Sequence, residues 1–192
     1  MAHERAFPVA CVIIGAGAGT RFGQPKAGAL LPDGRRFVDA IFETARDAGL
    51  FPIVAVLPPG VDAPNGAVSV VNPKPAGEHV VSLRLGLTQL ANHPVVGAIA
   101  WPVDHPFVQL ESLLAVLDAA RRTGAPIVVP ELGSTRGHPV FFHRDTWREL
   151  LTVADGGAKA IVHSYGTRVV RIPVRDNGVL RDIDTPADLG VE

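Results

Sequence analysis

A glycine-rich segment that carries two cationic side chains follows the first apolar run of the chain. Its small residues are Gly15, Ala16, Gly17, Ala18 and Gly19. Glycines let a backbone approach a ligand closely, and their exposed N–H groups can cradle phosphate oxygens. Arg21 can bind a phosphate through two parallel hydrogen bonds, and Lys26 can act as a point charge. We interpret the segment as a polyphosphate-binding loop, with a glycine turn carrying two solvated cations as the alternative.

Two common phosphate-binding patterns do not fit this segment. The dinucleotide fingerprint G-x-G-x-x-G fails because Thr20 or Phe22 stands where its third glycine belongs. The Gly-Lys-Ser or Gly-Lys-Thr of a Walker loop is absent from the sequence. The loop is therefore predicted to bind phosphate in some other way.

Carboxylates at two distant places are candidate metal ligands. Asp104 follows the apolar run 95–101, at the edge of an open sheet where ligands collect. Asp182 and Asp184 form a second pair near position 183. If the two places meet, they form an oxygen site suited to Mg²⁺. The alternatives are a strand-end turn residue at Asp104 and a helix N-cap before Pro186.

The histidines and serines of the sequence do not form a recognisable catalytic pattern. His138 and His143 are five residues apart in an extended segment, and the sequence has neither an H-E-x-x-H pattern nor a second cysteine. No G-x-S-x-G elbow is present, which disfavours serine hydrolase chemistry. His138 lies in a polar turn, where it either contacts an anionic substrate or is a structural histidine.

The composition is that of a globular chain with nearly balanced charge. It has 192 residues, 18 Lys plus Arg against 19 Asp plus Glu, and 47% hydrophobic residues. This length predicts a single domain, 1–192, and the near-zero net charge argues against nucleic-acid or membrane partners. Residues 6–19 resemble a signal peptide, but Glu4 and Pro8 favour a buried strand and a loop. The lone Cys11 fits a reducing compartment, so we expect a soluble cytoplasmic protein.

Short apolar runs alternate with helical patterns over most of the chain. The runs are at 9–14, 52–57, 95–101 and 125–129, and the helical patterns are at 37–48, 80–90 and 110–120. This alternation predicts a three-layer α/β fold with a mainly parallel sheet. After Pro130 follow an extended 138–142, helical patterns at 145–151 and 157–163, and a strand at 167–173. We expect this tail to add a short antiparallel edge or ribbon.

Several segments, in order along the chain, resemble the motifs of one family. Residues 14–26, Ile-Gly-Ala-Gly-Ala-Gly-Thr-Arg-Phe-Gly-Gln-Pro-Lys, are similar to the motif L-A-A-G-x-S-x-R-M-G-x-x-K. The further matches are Asn72-Pro73 with 82–87, then 102–106, 136–141, 156–159 and 182–189. Together these segments resemble the MobA-like nucleotidyltransferases, and within them the molybdenum-cofactor cytidylyltransferases.

The resemblance implies a Rossmann-like nucleotidyltransferase fold in which the loop 15–26 wraps a nucleoside triphosphate. Arg21 and Lys26 would meet its phosphates and, together with Asp104, would be the catalytic residues. The Mg²⁺ ligands would be Asp104, Asp182 and Asp184. The molybdenum-cofactor members of the family join CMP or GMP to the terminal phosphate of the pterin cofactor molybdopterin and release pyrophosphate.

The same resemblance suggests further contacts for the two substrates. Asn72 and Ser82 would also bind the nucleotide, and Ala16 resembles the cytidylyl branch, so CTP is expected rather than GTP. The candidate contacts of a phosphorylated acceptor are Arg84, Arg136 and His138.

Three departures from the family pattern leave other functions open. Gly15 replaces the usual Ala, Gly19 replaces the usual Ser, and residues 78–81 replace a small, glycine-rich run. One alternative is an NAD(P)H-dependent reductase of the nicotine-blue type, which shares this resemblance. The other is a nucleotide-binding module without turnover.

Overall fold

Within the described residues, eight strands form one mixed sheet that has helices on both faces. The computed structural model describes residues 7–17, 19, 22–73, 79–154 and 156–190. The strands are β1 (Val9–Ile14), β2 (Ile53–Leu57), β3 (Val68–Val71), β4 (Gly97–Pro102), β5 (Ile127–Leu132), β6 (Thr135–Arg136), β7 (Val140–His143) and β8 (Val169–Pro173). The helices are α1 (Phe37–Asp47), α2 (His79–Gln89), α3 (Leu110–Thr123), α4 (Trp147–Thr152) and α5 (Gly157–Ser164).

The two faces of the sheet carry separate apolar layers. One layer includes residues of α1 and α3, and the other includes residues of α2, α4 and α5. Along β1, Val9, Cys11 and Ile13 belong to the first layer, and the alternate residues belong to the second. Successive side chains of a strand point to opposite faces, so a strand covered on both sides must be apolar throughout. The predicted three-layer α/β fold is confirmed.

The sheet is mainly parallel, with one antiparallel strand inside it. The order is β3-β2-β1-β4-β7-β5-β6, and β8 pairs with β5. Neighbours from β3 to β4 are parallel, as are β5 and β8, whereas β7 is antiparallel to β4 and β5. The part of the chain after Pro130 therefore contributes an interior strand, β7, and not only the expected antiparallel edge. Val140, Phe141 and Phe142 fill both apolar layers, which places their strand in the interior rather than at the edge.

The sequence patterns missed two strands, β3 and the two-residue β6, and located the others closely. The edge strand β3 is four residues long and has no fully buried residue, so its apolar run is too short to be recognised. The predicted helices α1, α2 and α3 begin and end within three residues of their observed bounds. No helix in the described part of the chain is long and apolar enough to cross a membrane.

A glycine lets α2 lie directly on the central strand β1. A Cβ added at Gly86 would lie 2.3 Å from Cγ1 of Val12, far inside van der Waals contact. Leu83 and Leu87 flank this glycine and are 1% exposed, so the helix packs closely on both sides of it. The contact fixes α2, and with it the start of α2, against the sheet.

The carboxyl ends of β1 and β4 lie side by side and define the edge that carries the site. The Val103 N–H donates to the Ile14 carbonyl at 3.0 Å, which continues the pairing just beyond β4. The C-terminal segment reaches the same place, because the Ile183 N–H donates to the Asp104 carbonyl at 2.9 Å. Ile183 is fully buried, so it anchors the segment. Three segments far apart in sequence thus converge at one edge of the sheet.

Candidate active site

Lys26 lies among three carboxylates at this edge of the sheet. Its Nζ is 2.5 Å from Oδ1 of Asp184, 3.5 Å from Oδ2 of Asp104 and 3.8 Å from Oδ1 of Asp182. The convergence on which the sequence interpretation depended is therefore present in the structure. We call Asp104, Asp182 and Asp184 the carboxylate triad.

The local backbone explains why these side chains meet. Lys26 begins a short 3₁₀ turn, Lys26–Gly28, which the completely buried Ala27 anchors. The Lys26 side chain lines the cleft. Asp182 and Asp184 lie on either side of the buried Ile183. The side chains of Asp182 and Asp184 are 50% and 28% exposed, so both carboxylates are open to the cleft while Ile183 anchors the backbone between them.

The triad is crowded, and one of its oxygens is unsatisfied. Oxygen atoms of the three carboxylates lie within 4.8 Å of one another. The Asp104 side chain is 13% exposed, and its Oδ1 is buried with no hydrogen-bond partner among the described residues. Burial and the charges of Asp104 and Asp184 raise the pKa of Asp182 above its usual value. An all-oxygen set with an orphaned buried acceptor is suited to a hard divalent cation.

The glycine loop borders the same cleft. Gly17, Gly19, Lys26 and the triad line a cavity of about 250 Å³, together with His79 at the start of α2. Of the loop residues assigned to nucleotide binding, Ala18 and Arg21 lie outside the described residues, as does Thr20. The roles of Ala18 and Arg21 stay predictions.

The glycines that depart from the family motif have local reasons in this fold. Gly19 has φ +58°, and an added Cβ would lie 1.9 Å from the Gln24 carbonyl oxygen. A side chain at that position would therefore require the loop to move. A Cβ at Gly15 would lie 2.8 Å from Cδ2 of Leu57, so this glycine brings the loop against β2. Ala16, between them and the cleft, is buried.

Asn72 and Ser82 contact each other in the interior. The Asn72 side-chain amide donates to the Ser82 hydroxyl at 3.1 Å, and the two residues are 2% and 3% exposed. The bond joins the segment after β3 to the second turn of α2. Their assignment as nucleotide contacts stays a prediction, since this bond shows a structural role.

His138 lies against His105, a residue that sequence reasoning did not single out. Their ring centroids are 4.7 Å apart, and Nε2 of His105 is 4.0 Å from Oδ1 of Asp104. Burial lowers the pKa of His138 to about 4, with a smaller contribution from His105. Burial also lowers the pKa of His105, against the opposing pull of Asp104. Both rings are thus neutral near pH 7, and the position of His105 directly after Asp104 was the available signal.

Arg84 bonds the backbone at the end of α4, and its role as an acceptor contact stays a prediction. Its Nε donates to the Leu150 carbonyl at 3.0 Å, and its Nη2 donates to the Val153 carbonyl. These bonds satisfy the C-terminal end of α4 and tie it to α2. Arg136, in contrast, is exposed and lines a cavity together with His138.

Two further cavities extend the cleft along the sheet edge. A groove of about 380 Å³ shares Ile14 and His79 with the cleft, and it reaches His138 and the start of α5. Beyond it lies a cavity of about 670 Å³, which shares His138 and the residues Gly156, Ala158 and Lys159 with the groove. Sequence reasoning quoted 156–159 as a motif but did not assign these residues to the site.

Comparisons of the sequence and of the structure identify relatives of this chain among known proteins. A curated 2-C-methyl-D-erythritol 4-phosphate cytidylyltransferase of Thermus thermophilus is 31% identical over 121 residues, 63% of this chain. The match spans only about half of that relative, 54% of its length. The crystal structure of Rv0371c from Mycobacterium tuberculosis H37Rv covers 96% of each chain with a TM-score of 0.82 and 27% identity.

Another solved structure of that mycobacterial protein contains a metal. The manganese complex of Rv0371C covers 94% of this chain and 95% of its own, with a TM-score of 0.76 and 26% identity. A family model described as the MobA-like NTP transferase domain matches residues 11–169. The matched residues include the glycine loop, Lys26 and Asp104, and they make up most of the chain. The chain therefore belongs to the MobA-like NTP transferase domain family.

Proposed function

We propose that this chain is a nucleotidyltransferase that moves CMP from CTP onto a small phosphorylated acceptor, such as molybdopterin, and releases pyrophosphate. The observation that carries the proposal is the Lys26 ammonium among three carboxylates beside a glycine loop. Membership in the family supports nucleotide transfer. The Thermus relative, a cytidylyltransferase by name, supports CTP as the donor.

The donor phosphates would bind between the glycine loop and Lys26. Gly17 and Gly19 offer a surface that a phosphate can approach closely, and Lys26 offers the charge. The carboxylate triad fits a divalent cation such as Mg²⁺, which would neutralise phosphate charge when it is bound. Because the Lys26 ammonium lies beside the same oxygens, it partly neutralises the negative charge of the triad in the absence of a metal cation.

The reaction needs alignment and charge stabilisation rather than a protein nucleophile. An oxygen of the acceptor phosphate attacks the α-phosphorus of the nucleotide, a new P–O bond forms, and the bond to the bridging oxygen breaks to release pyrophosphate. Catalysis of such transfers comes mainly from positioning and electrostatics. Lys26 would stabilise the charge that develops on the leaving pyrophosphate, and the triad would fix Lys26 in place.

The acceptor would enter from the side of His138. Arg136 and His138 line the cavity beyond the groove, and His138 is one ring contact away from His105 beside the triad. Since the pKa of His138 is lowered to about 4, its ring would contact an anion as a neutral N–H donor. Arg136 would supply the positive charge. Arg84 stays a candidate acceptor contact, and its Nε and Nη2 also donate to backbone carbonyls at the end of α4.

Pyrophosphate release with isosteric variants tests this function. Lys26→Met and Asp104→Asn should each lower turnover of CTP with Mg²⁺ by about 10²–10³-fold, by analogy with other electrostatic stabilisers. Asp118→Asn is the matched control, because Asp118 is an exposed carboxylate on α3. Wild-type turnover by folded Lys26→Met or Asp104→Asn protein would show that these roles are wrong.

Thermal shift assays address the donor and the cofactor. Stabilisation by CTP that needs Mg²⁺, and that exceeds stabilisation by GTP, is the expected result. Stabilisation by NADPH without metal would instead indicate the reductase alternative. Nucleotide binding without pyrophosphate release, with every acceptor tried, would indicate a module that binds but does not turn over.

A further inference from the structure

The cavity of about 670 Å³ beyond the groove has an apolar floor. Val129, Val140 and Phe142 form this floor from β5 and β7, and they are 2%, 6% and 2% exposed. Ala160 and Val162 of α5 complete the apolar wall. Contact of this surface with another apolar group excludes water and is therefore favourable in free energy. A polyol would have to give up hydrogen bonds to water in order to enter.

The rim of this cavity is basic. Arg136, Lys159 and His163 are exposed where they line the cavity, and the half-buried His138 also lines it. Among the described lining residues there is no carboxylate. The charges at the rim therefore favour an anionic group on the ligand, while the floor favours an apolar body.

The cavity is continuous with the cleft that holds Lys26. The groove between them shares His138 and Lys159 with the cavity, and Ile14 and His79 with the cleft. A single ligand can thus place its anionic group in the groove, beside Lys159, and its remaining part in the cavity. The pocket between the end of α1 and α3, beside Phe7 and Leu114, differs in this respect, because it shares no described lining residue with the cleft or the groove.

The wall formed by α5 is held in place by glycines. Gly156 and Gly157 have φ +71° and +53°, and a Cβ added at Gly157 would lie 3.1 Å from Cβ of Val80. The start of α5 therefore packs tightly on the start of α2, which Gly86 fixes against β1. A cavity between fixed elements is largely formed before the ligand arrives, and its shape can select among ligands.

We propose that this cavity binds the non-reacting body of the acceptor, and that the acceptor is an organic phosphate whose body presents the apolar face of a ring or a hydrocarbon chain. This inference rests on the proposed nucleotidyl transfer and specifies its second substrate. Lys159 and Arg136 bind the anionic group, and Val129, Val140 and Phe142 contact the body. Polyol phosphates are poor ligands, because their hydroxyl groups would lose water at the apolar floor.

Three small probes test the two halves of the proposal. Phenyl phosphate carries a phosphate and an apolar ring, glycerol 3-phosphate carries a phosphate and a polyol, and phenol carries the ring alone. Calorimetry or ligand-observed NMR on the full chain gives each Kd. We expect phenyl phosphate to bind at least about tenfold more tightly than either of the other two. Equal affinity of phenyl phosphate and glycerol 3-phosphate would overturn the proposal.

Obstructing the cavity tests its location. Ala160→Leu places a larger side chain in the apolar wall and should weaken phenyl phosphate binding at least tenfold. Ala91→Leu, at an exposed position after α2, is the matched control and should leave the Kd unchanged. If the Ala160→Leu protein does not fold, as judged by circular dichroism, Ala158→Leu obstructs the same cavity from its boundary with the groove. Undiminished binding in a folded obstructed variant would overturn the location.

Removing a rim charge tests the anion site. Lys159→Gln should weaken phenyl phosphate about three- to tenfold and leave phenol unaffected, since phenol has no charge to lose. Arg148→Gln removes an exposed charge from α4 and is the matched control. An equal effect of Lys159→Gln on phenyl phosphate and phenol would contradict a role for Lys159 in anion binding.

The failure of this inference can be told apart from failure of the proposed function. CTP with Mg²⁺ is titrated into the same wild-type samples. Binding of CTP with Mg²⁺ but no preference for phenyl phosphate would overturn the cavity assignment alone. Preference for phenyl phosphate without any binding of CTP would overturn the nucleotidyltransferase proposal, and the apolar anion site would still be established.

Discussion

Replacing Lys26 by methionine should destabilise the protein, and the loss should grow as the pH rises. The change removes an ammonium that lies within 4 Å of three carboxylates but keeps most of the side-chain volume. Breaking a buried ion pair costs about 3–5 kcal/mol, and an exposed pair contributes about 0–1 kcal/mol. The side chains of Lys26 and Asp104 are 14% and 13% exposed, whereas Asp182 is 50% exposed. We therefore expect an intermediate loss of about 1–3 kcal/mol at pH 8.

The pH dependence follows from the carboxylates that remain. The pKa of Asp182 is already raised by burial and by its acidic neighbours, and Lys26 is the cation that opposes this rise. Without Lys26, the folded protein holds carboxyl protons that the unfolded chain releases from about pH 4 upward. The folded state then binds more protons than the unfolded state, so its stability falls as the pH rises through that window. The difference from wild type should be small near pH 4 and complete by pH 8.

Urea denaturation of both proteins between pH 4 and pH 8 measures this difference. Lys159→Met is the matched control, because it removes an exposed lysine and should change stability by less than about 0.5 kcal/mol at every pH. Divalent cations should restore part of the lost stability of Lys26→Met protein. A loss that does not depend on pH, or a variant as stable as wild type at pH 8, would refute the reasoning.

Three further outcomes follow from the packing. Gly86→Ala should lower the free energy of unfolding, measured in urea, by about 1–3 kcal/mol, because the added methyl group would overlap β1. In the control Gly28→Ala the nearest new contact is at 3.9 Å, so its stability should be nearly unchanged. Equal effects of the two substitutions would contradict the close approach of α2 to β1. Gly19→Ser introduces the residue usual in the family but should weaken binding of CTP with Mg²⁺ at least tenfold, because the backbone at Gly19 has φ +58°. Calorimetry measures this affinity. An unchanged affinity would show that the loop adapts to the side chain. Burial raises the pKa of the Cys11 thiol, so this thiol should react with Ellman's reagent only as the protein unfolds; rapid labelling of folded protein would be inconsistent with its burial.

The parts of the fold that local patterns decide were predictable. β1 and β4 are apolar on both faces, which is the pattern of covered parallel strands, and the edge of such strands identified Asp104. The interior place of β7 was not predictable in this way. Its position depends on pairing with β4 and β5, which are chosen by packing across the whole sheet rather than by its own four residues.

The candidate site was predictable in its residues but not in its assembly. The meeting of Asp104 with the 182–184 segment depends on the Ile183 N–H bonding to the Asp104 carbonyl, a contact that sequence spacing does not encode. The same limit applies to Arg84, whose hydrogen bonds to the end of α4 could not be read from its position in the sequence. His105 had one signal, its position directly after Asp104, but its contact with His138 exists only in the folded chain.

The separation of 158 residues between Lys26 and Asp184 determines when the site can form during synthesis. A ribosome that adds about 5–20 residues per second takes roughly 8–32 s to pass from one to the other. During that interval the glycine loop and Asp104 leave the ribosome without the carboxylate pair. A nascent chain can therefore build much of its sheet well before its site is complete.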